Sequence, residues 1–233
     1  MIKLEFGKHR VLALLVVVLV LNGCGSFHDL EEISQAELQN EAIWPDEAIS
    51  ASYCPMILAG QVSAEALPAI SGKWGCGQEA PFSVTAVGGA NPVQFNVAAV
   101  TNCVVASQLQ RYFSEVVQPE ALQMLGQPVA EIRVAASYSC RPRNNQRGAQ
   151  LSEHGYANAI DISAFVLRDG TVLSIEDDWP KWGRKGKFLR AINRKACRYF
   201  TTVIGPGGDK YHQNHIHLDH GRHGKEGIWR VCQ

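Results

Sequence analysis

Four side chains from two distant stretches have the types and spacing of a metal site. His154 and Asp161 lie seven residues apart, and His215 and His217 alternate with apolar residues far downstream. On a strand this alternation points both imidazoles to the same face, with Cα atoms roughly 6.5–7 Å apart. Together the residues supply three ligands for one divalent metal and a fourth basic side chain beside it. Catalytic zinc sites use three protein ligands of these types and keep a fourth position for water.

The chemistry that suits such a site is amide hydrolysis. Zinc lowers the pKa of a bound water to about 7 and polarises a peptide carbonyl as a Lewis acid. A histidine that titrates near neutrality takes the water proton and passes it to the leaving amine, while a cationic Arg141 stabilises the developing oxyanion. Because the sequence contains neither GxSxG nor HExxH, other nucleophile or zinc schemes have no comparable support.

Hydrophobic periodicity and turn residues predict the elements that position these residues. Apolar residues at helical spacing follow a capping position, and alternating apolar residues surround the candidate ligands. We predict, in chain order, a helix capped by Thr101 or Asn102 that ends at Val117, a short helix between Pro119 and Gly126, strands over 131–139 and 157–167, a helix over 186–200, and a strand at the histidine pair. The fold class is therefore α+β, with a small, mainly antiparallel sheet flanked by helices.

The first residues predict export. Basic residues precede an apolar run of eleven, Val11–Leu21, which is short for a membrane-spanning helix and typical of a secretory signal. The run leads into Leu21-Asn-Gly-Cys24, which resembles the lipobox of bacterial lipoproteins. We therefore expect a signal peptide over 1–23, lipid on Cys24 and an anchor at the periplasmic face of the envelope. Gly25 favours the outer membrane, and an ordinary signal with a free Cys24 is the alternative.

Cysteine parity agrees with lipidation. The chain has seven cysteines, and removing Cys24 leaves an even set. Their irregular spacing matches no zinc signature, so in an oxidising compartment they predict up to three disulfides with about fifteen possible connectivities. Cys140–Cys197 is the pair that we expect first. The six candidates are Cys54, Cys76, Cys103, Cys140, Cys197 and Cys232.

Charge and composition divide the mature chain into a tether and a domain. Residues 24–51 are acidic and contain no Lys or Arg, as a solvated tether would. The domain then extends over 52–233, long enough to bury a core. Basic residues are concentrated in the helix predicted over 186–200. Because the chain is expected to be exported and its charge is balanced, we expect no nucleic-acid partner. We expect a monomer.

The motifs resemble a known family. They are Ser137-Tyr-Ser-Cys-Arg141, Leu151-Ser-Glu-His154, Asn158-Ala-Ile-Asp-Ile162, Gly205-Pro206 and His215-Ile-His-Leu-Asp219. Together they resemble the bacterial extensin-like C-terminal domain family. They are also similar to the zinc D-Ala-D-Ala metallopeptidases and their lysostaphin and hedgehog relatives. The resemblance implies a hedgehog or D-Ala-D-Ala-peptidase-like fold, with disulfides added.

The resemblance also implies a role for each site residue. His154, Asp161 and His217 are the expected zinc ligands, and His215 is the expected general base or transition-state stabiliser. Arg141 occupies the position of an arginine near the scissile carbonyl or the substrate carboxylate. Two further residues, Ser152 and His212, are expected to line the site and contact the substrate.

Two departures from the D,D-dipeptidases matter. Those enzymes often carry Gly where this chain has Ala157, and they use a glutamate base a few residues before the last ligand, where this chain offers Asn214 and His215. The second departure favours the histidine-based variant seen in murein endopeptidases.

Three functions follow as hypotheses. The first is a zinc-dependent peptidase, endo- or carboxypeptidase, that cuts the peptide stems or crosslinks of peptidoglycan. The second is a non-catalytic zinc-containing module that binds wall peptide or a partner. The third is a disulfide-stapled envelope scaffold whose histidines hold no metal.

Overall fold

The computed structural model describes residues 54–227 and 229–233. The predicted signal peptide over 1–23, with Cys24, and the acidic tether over 24–51 lie outside these residues. Within the described residues, no helix is both long and apolar enough to cross a membrane.

The described chain contains α-helices, strands and short 3-10 or π segments in mixed order. The helices are α1 (Pro55–Leu58), α2 (Cys103–Tyr112), α3 (Gln118–Leu125), α4 (Ile175–Asp178) and α5 (Arg184–Ala196). The strands are β1 (Val62–Ala66), β2 (Ile70–Ser71), β3 (Gly77–Gln78), β4 (Phe82–Val87), β5 (Val93–Thr101), β6 (Val129–Ala136), β7 (Ala159–Leu167), β8 (Val172–Ser174), β9 (Thr202–Ile204), β10 (Ile216–Asp219) and β11 (Val231–Cys232). The predicted α+β class is confirmed.

Nine of these strands form one sheet in the described part of the chain, in the order β1-β4-β5-β6-β7-β10-β9-β11 with β8 paired to β7. Most neighbours are antiparallel, but β5 runs parallel to β6 and β11 parallel to β9. The sheet is larger than the small one that we expected. Its additional strands are β1, β4 and β5 from residues 62–101, together with the short strands β8, β9 and β11.

A helical layer covers the sheet and connects the parallel pair β5 and β6. Asn102 caps α2 by accepting a hydrogen bond from the Val105 N–H, which confirms one of the two predicted caps. A π-helical segment, Phe113–Val117, joins α2 to α3. The structure therefore has one continuous helical stretch where we predicted two helices. The wider π-helical turn accommodates Pro119, which has no N–H to donate to the preceding turn.

The core lies between this layer and the sheet. The Tyr112 ring meets those of Phe113 and Phe200 edge to face, and Phe165 of β7 contacts Phe188 of α5. These side chains are fully buried. Burial of a large aromatic or aliphatic side chain contributes roughly 1.5–3 kcal/mol, so the contact of Phe165 with Phe188 helps to hold β7 against α5.

Three disulfides join the six cysteines that the sequence identified. The pairs are Cys54–Cys103, Cys76–Cys140 and Cys197–Cys232. The expected Cys140–Cys197 pair is wrong. Cys140 follows β6 and meets the short β2–β3 hairpin, whereas Cys197 ends α5 beside the C-terminal strand β11. Pairing depends on which elements approach each other, and sequence spacing does not encode that.

Candidate metal centre

Two adjacent central strands bring the candidate ligands together. Strands β7 and β10 are antiparallel, and His217 is directly opposite Asp161 in their register. Directly opposed residues on neighbouring strands have side chains on the same face and close together. His154 comes from a 3-10 turn, Glu153–Tyr156, that immediately precedes β7.

Three ligand atoms converge in this arrangement. The His154 Nε2 atom lies 3.1 Å from Asp161 Oδ2 and 3.2 Å from His217 Nδ1. The His217 Nδ1 atom lies 2.8 Å from Asp161 Oδ1. His154, Asp161 and His217 are all buried, and their ligand atoms lie within 4.8 Å of one another. The geometry is that of a group able to hold one metal ion.

The second nitrogen of each imidazole is bound to an acceptor, which fixes the ring. His154 Nδ1 lies 2.5 Å from the Ser137 carbonyl oxygen, so Nδ1 must be the donor. His217 Nε2 lies 2.8 Å from Asp219 Oδ2 and donates to that carboxylate. Each ring therefore directs its other nitrogen to the centre, as in carboxylate–histidine–zinc and carbonyl–histidine–zinc arrangements.

Electrostatics at this centre favour positive charge. Desolvation opposes ionisation of Asp161, but hydrogen bonds from His154 and His217 hold the pKa of its carboxyl far below the ordinary range. Desolvation likewise disfavours charge on His217, yet hydrogen bonds to Asp161 and Asp219 raise its pKa to about 10. The two carboxylates thus stabilise a cation between the ligands, whether a proton or a metal carries the charge.

His215 lies beside the three ligands and just before β10. Its Nδ1 atom is 2.8 Å from the side-chain oxygen of Asn214, and its Nε2 atom is 3.6 Å from Asp161 Oδ2. Burial lowers the pKa of this imidazole below its usual 6.5, although Asp161 partly opposes the shift. His215 is therefore neutral near pH 7 and able to accept a proton.

His212 contacts the same centre from the loop before β10. Its ring centroid lies 5.0 Å from that of His215 and 5.6 Å from that of His217. Its Nδ1 atom is 2.7 Å from Asp209 Oδ1. Burial alone would raise the pKa of Asp209, but hydrogen bonds from His212 and Tyr211 lower it, so an ionised carboxylate orients the His212 ring.

A cavity of about 230 Å³ opens beside the ligands. Three of the residues predicted for substrate or oxyanion contact, Arg141, Ser152 and His212, lie in its wall together with His154 and His217. Asp161 and His215 are not among the lining residues. Asp161 is buried, whereas the His215 side chain is 16% exposed and lies outside this cavity.

Comparison with known proteins gives a family but no characterised relative. The family described as the extensin-like protein C-terminus matches residues 53–233. The chain belongs to the extensin-like C-terminal family. Neither the curated proteins nor the solved structures gave a match.

Several residues of this extensin-like domain were missed at the sequence level. Asp219 orients His217, and Asp209 orients His212. The H-x-H-x-D alternation could have identified Asp219, because residues two apart on a strand share a face. The three-residue spacing could likewise have identified Asp209. The Ser137 carbonyl had no such signal, since a backbone acceptor carries no residue preference.

The extensin-like domain also explains Ala157, which closes the turn that carries His154. Its backbone is left-handed, with φ 51° and ψ 28°, and its side chain is fully buried. Glycine is the usual residue at such a position because it has no Cβ. The glycine that the D,D-dipeptidases often carry there is therefore compatible with this backbone.

Proposed function

We propose that this protein is a zinc-dependent peptidase that cuts wall peptides of peptidoglycan, as an endo- or carboxypeptidase. The observation that carries the proposal is the convergence of His154 Nε2, Asp161 and His217 Nδ1, each imidazole held by an acceptor on its far nitrogen. The donor set of two nitrogens and one oxygen fits catalytic zinc, which takes three protein ligands.

When bound, the metal supplies Lewis acidity toward a carbonyl and lowers the pKa of a water. The protein's own groups then supply proton transfer and charge stabilisation. The neutral His215, whose Nε2 atom lies 3.6 Å from Asp161 Oδ2, accepts the proton of the attacking water. His212, oriented by Asp209, has its ring centroid 5.0 Å from that of His215 and assists in passing that proton to the leaving amine.

Arg141 supplies the positive charge at the cavity. Among the described residues, no carboxylate forms an ion pair with its guanidinium, whereas the neighbouring Arg143 is 3.5 Å from Glu153. A guanidinium that forms no ion pair with a described carboxylate is available to an anionic group of the substrate or to the oxyanion. Ser152, buried in the same wall, contacts the substrate from the opposite end of the loop.

The substrate and the finer fold assignment rest on motif resemblance. The zinc D-Ala-D-Ala metallopeptidases and their lysostaphin and hedgehog relatives share the His-x6-Asp and His-x-His pattern seen here, and many act on wall peptides. A hedgehog-like arrangement is therefore part of this proposal, supported by the pairing of β7 with β10.

The proposed location follows from the N-terminal residues. A lipid on Cys24 would hold the domain at the periplasmic face of the envelope, favouring the outer membrane, within reach of peptidoglycan. Metabolic labelling with a radiolabelled fatty acid tests this. Label should appear on the wild type and disappear in Cys24→Ala, and labelling of both or of neither would contradict it.

A digest of purified sacculi tests the function. The zinc-loaded wild type should release peptide fragments that mass spectrometry identifies, while His217→Ala should release none. Asp177→Asn, an exposed carboxylate on α4, is the matched control and should act like the wild type. Equal inactivity of zinc-loaded wild type and His217→Ala on sacculi and on soluble muropeptides would refute the peptidase.

A zinc-containing binding module is the second candidate. It is favoured by one observation: His215, the proposed base, is not among the described residues that line the cavity with Arg141 and Ser152. Retention of the zinc-loaded protein on sacculi without any bond cleavage would select this candidate.

A further inference from the structure

A chain of polar contacts extends from His217 away from the three candidate ligand atoms, through Asp219 and Thr202 to His223. Its first link is the bond between His217 Nε2 and Asp219 Oδ2, at 2.8 Å. The other oxygen of Asp219, Oδ1, accepts from the Gly221 N–H at 2.8 Å. Asp219 is buried, so each of its bonds replaces a lost interaction with water.

Thr202 is the second link. It lies directly opposite Asp219 in the pairing of β9 with β10, so the two side chains share a face of the sheet and the hydroxyl faces the Asp219 carboxylate. A carboxylate only accepts, so the threonine O–H must be the donor. The hydroxyl then has lone pairs left to accept a bond from elsewhere.

His223 is the third link and occupies that remaining position. Its Nε2 atom lies 2.7 Å from Thr202 Oγ1. Because the Thr202 proton is directed to Asp219, His223 Nε2 must carry the N–H and donate to the hydroxyl. His223, Thr202 and Asp219 all line the cavity together with His217.

We infer that Thr202 and His223 are positioning residues for the metal centre. The chain runs from His223 through Thr202 to Asp219, and each donor in it points toward the Asp219 carboxylate. A carboxylate held by the Gly221 N–H and faced by the Thr202 hydroxyl keeps the His217 ring at one angle, with Nδ1 toward Asp161 and His154. Mutation of residues that hydrogen-bond to a metal ligand typically lowers metal affinity by about 10–100-fold.

The inference rests on the metal centre proposed above, and the experiment separates the two. Cobalt binding to the metal-free, disulfide-intact protein is measured by titration, and the ligand-field absorption of the bound cobalt reports the geometry of its ligands. Thr202→Val removes the hydroxyl with little change in shape, while Thr202→Ser keeps it. His223→Leu removes the N–H, while His223→Gln places an amide N–H at the same distance along the side chain.

Thr202→Val and His223→Leu should each weaken cobalt affinity about tenfold or more and shift the absorption band. Thr202→Ser and His223→Gln should retain affinity and band near those of the wild type. A purely structural role would lower thermal stability in the two disruptive variants and leave the band of the folded protein unchanged.

Wild-type affinity and an unchanged band in either folded disruptive variant would overturn the inference and leave the metal centre standing. If Thr202→Val does not fold, His223→Leu, which is at the surface end of the chain, decides the question. A wild type that binds no cobalt would overturn both the centre and its positioning chain.

Discussion

His217 Nδ1 lies 2.8 Å from Asp161 Oδ1, although 56 residues separate them in the sequence. The contact arises because β10 pairs with β7 in a register that sets the two residues opposite each other. A sheet already fixed by its core therefore presents two ligands at once, and His154 from the preceding turn completes the set. The predictions below test what this arrangement does.

The first prediction concerns metal content. Protein prepared without an affinity tag should carry about one zinc ion per chain. His154→Ala, Asp161→Ala and His217→Ala should each abolish that stoichiometry, because two remaining ligands do not hold the ion. Inductively coupled plasma mass spectrometry after exhaustive buffer exchange gives the ratio. Asp177→Asn should keep its zinc, and zinc retained by all three ligand variants would contradict the site.

The second prediction concerns the cavity arginine. Arg141→Gln should lower kcat/KM for peptide release about 100-fold, because a cationic donor to the developing oxyanion is lost. Zinc content should not change, since Arg141 is not a ligand. Arg147→Gln, an exposed arginine of the same loop outside the cavity lining, is the matched control. An equal loss in both variants would mean that loop charge, rather than the Arg141 position, matters.

The third prediction separates two disulfides by their distance from the site. A Cβ placed on Gly155, the neighbour of His154, would lie 3.0 Å from the Cys76 sulfur, and Cys140 immediately precedes Arg141. Replacing Cys76 and Cys140 by Ser should lower the free energy of unfolding by about 2–5 kcal/mol and also weaken zinc binding.

The control is removal of Cys54–Cys103, which joins α2 to the residue before α1. Serine at both positions should cost a similar stability but leave zinc affinity unchanged. Denaturant unfolding and a competitive zinc titration measure the two quantities. Equal weakening of zinc binding in both double variants would show that the Cys76–Cys140 bond has no special relation to the site.

The fourth prediction concerns pH and a histidine outside the ligand set. Burial lowers the pKa of His220 to about 4. The negative charge of Asp219 partly opposes this shift, and the positive charge of Arg230 adds to it. In the unfolded chain the imidazole titrates near its ordinary value, so between those pH values the unfolded state binds more protons. Stability is therefore complete above about pH 6.5 and falls as the pH drops toward 4, by up to about 3 kcal/mol.

His220→Phe isolates this contribution. It retains an aromatic ring against Phe200, whose centroid lies 5.2 Å from that of His220, and it removes the titration. Urea unfolding at a series of pH values should show a shallower decline for the variant than for the wild type. Identical slopes would show that His220 does not carry the acid sensitivity.

Local sequence patterns predicted the site residues better than they predicted the other strands of the sheet. Alternation marked the strands that carry Asp161 and His217, and a polar side chain before an apolar run marked the Asn102 cap. Both signals act over a few residues. Phe82–Val87 has the short apolar pattern of a strand and is β4. The β1 and β5 strands were harder to recognise, because their stability comes from neighbours in the sheet rather than from their own sequence.

The remaining differences between prediction and structure come from contacts between residues that are far apart in the sequence. The disulfide of Cys140 depends on the β2–β3 hairpin reaching the end of β6, which no spacing specifies. The left-handed conformation of Ala157 is equally non-local, since an alanine gives no sign of it and the surrounding packing must enforce it. Such positions are visible only once the neighbours are in place.

The Cys54–Cys103 bond has a mechanical consequence. A pull along the chain from the residues before Cys54 passes through this bond to the first residue of α2. The disulfide closes a loop that contains strands β1 to β5, so these strands carry none of the tension along the chain. The load next enters the helical layer, whose α3 end connects to β6. A domain held at its N-terminal end under stress therefore transmits force through a helix before any strand that bears a ligand.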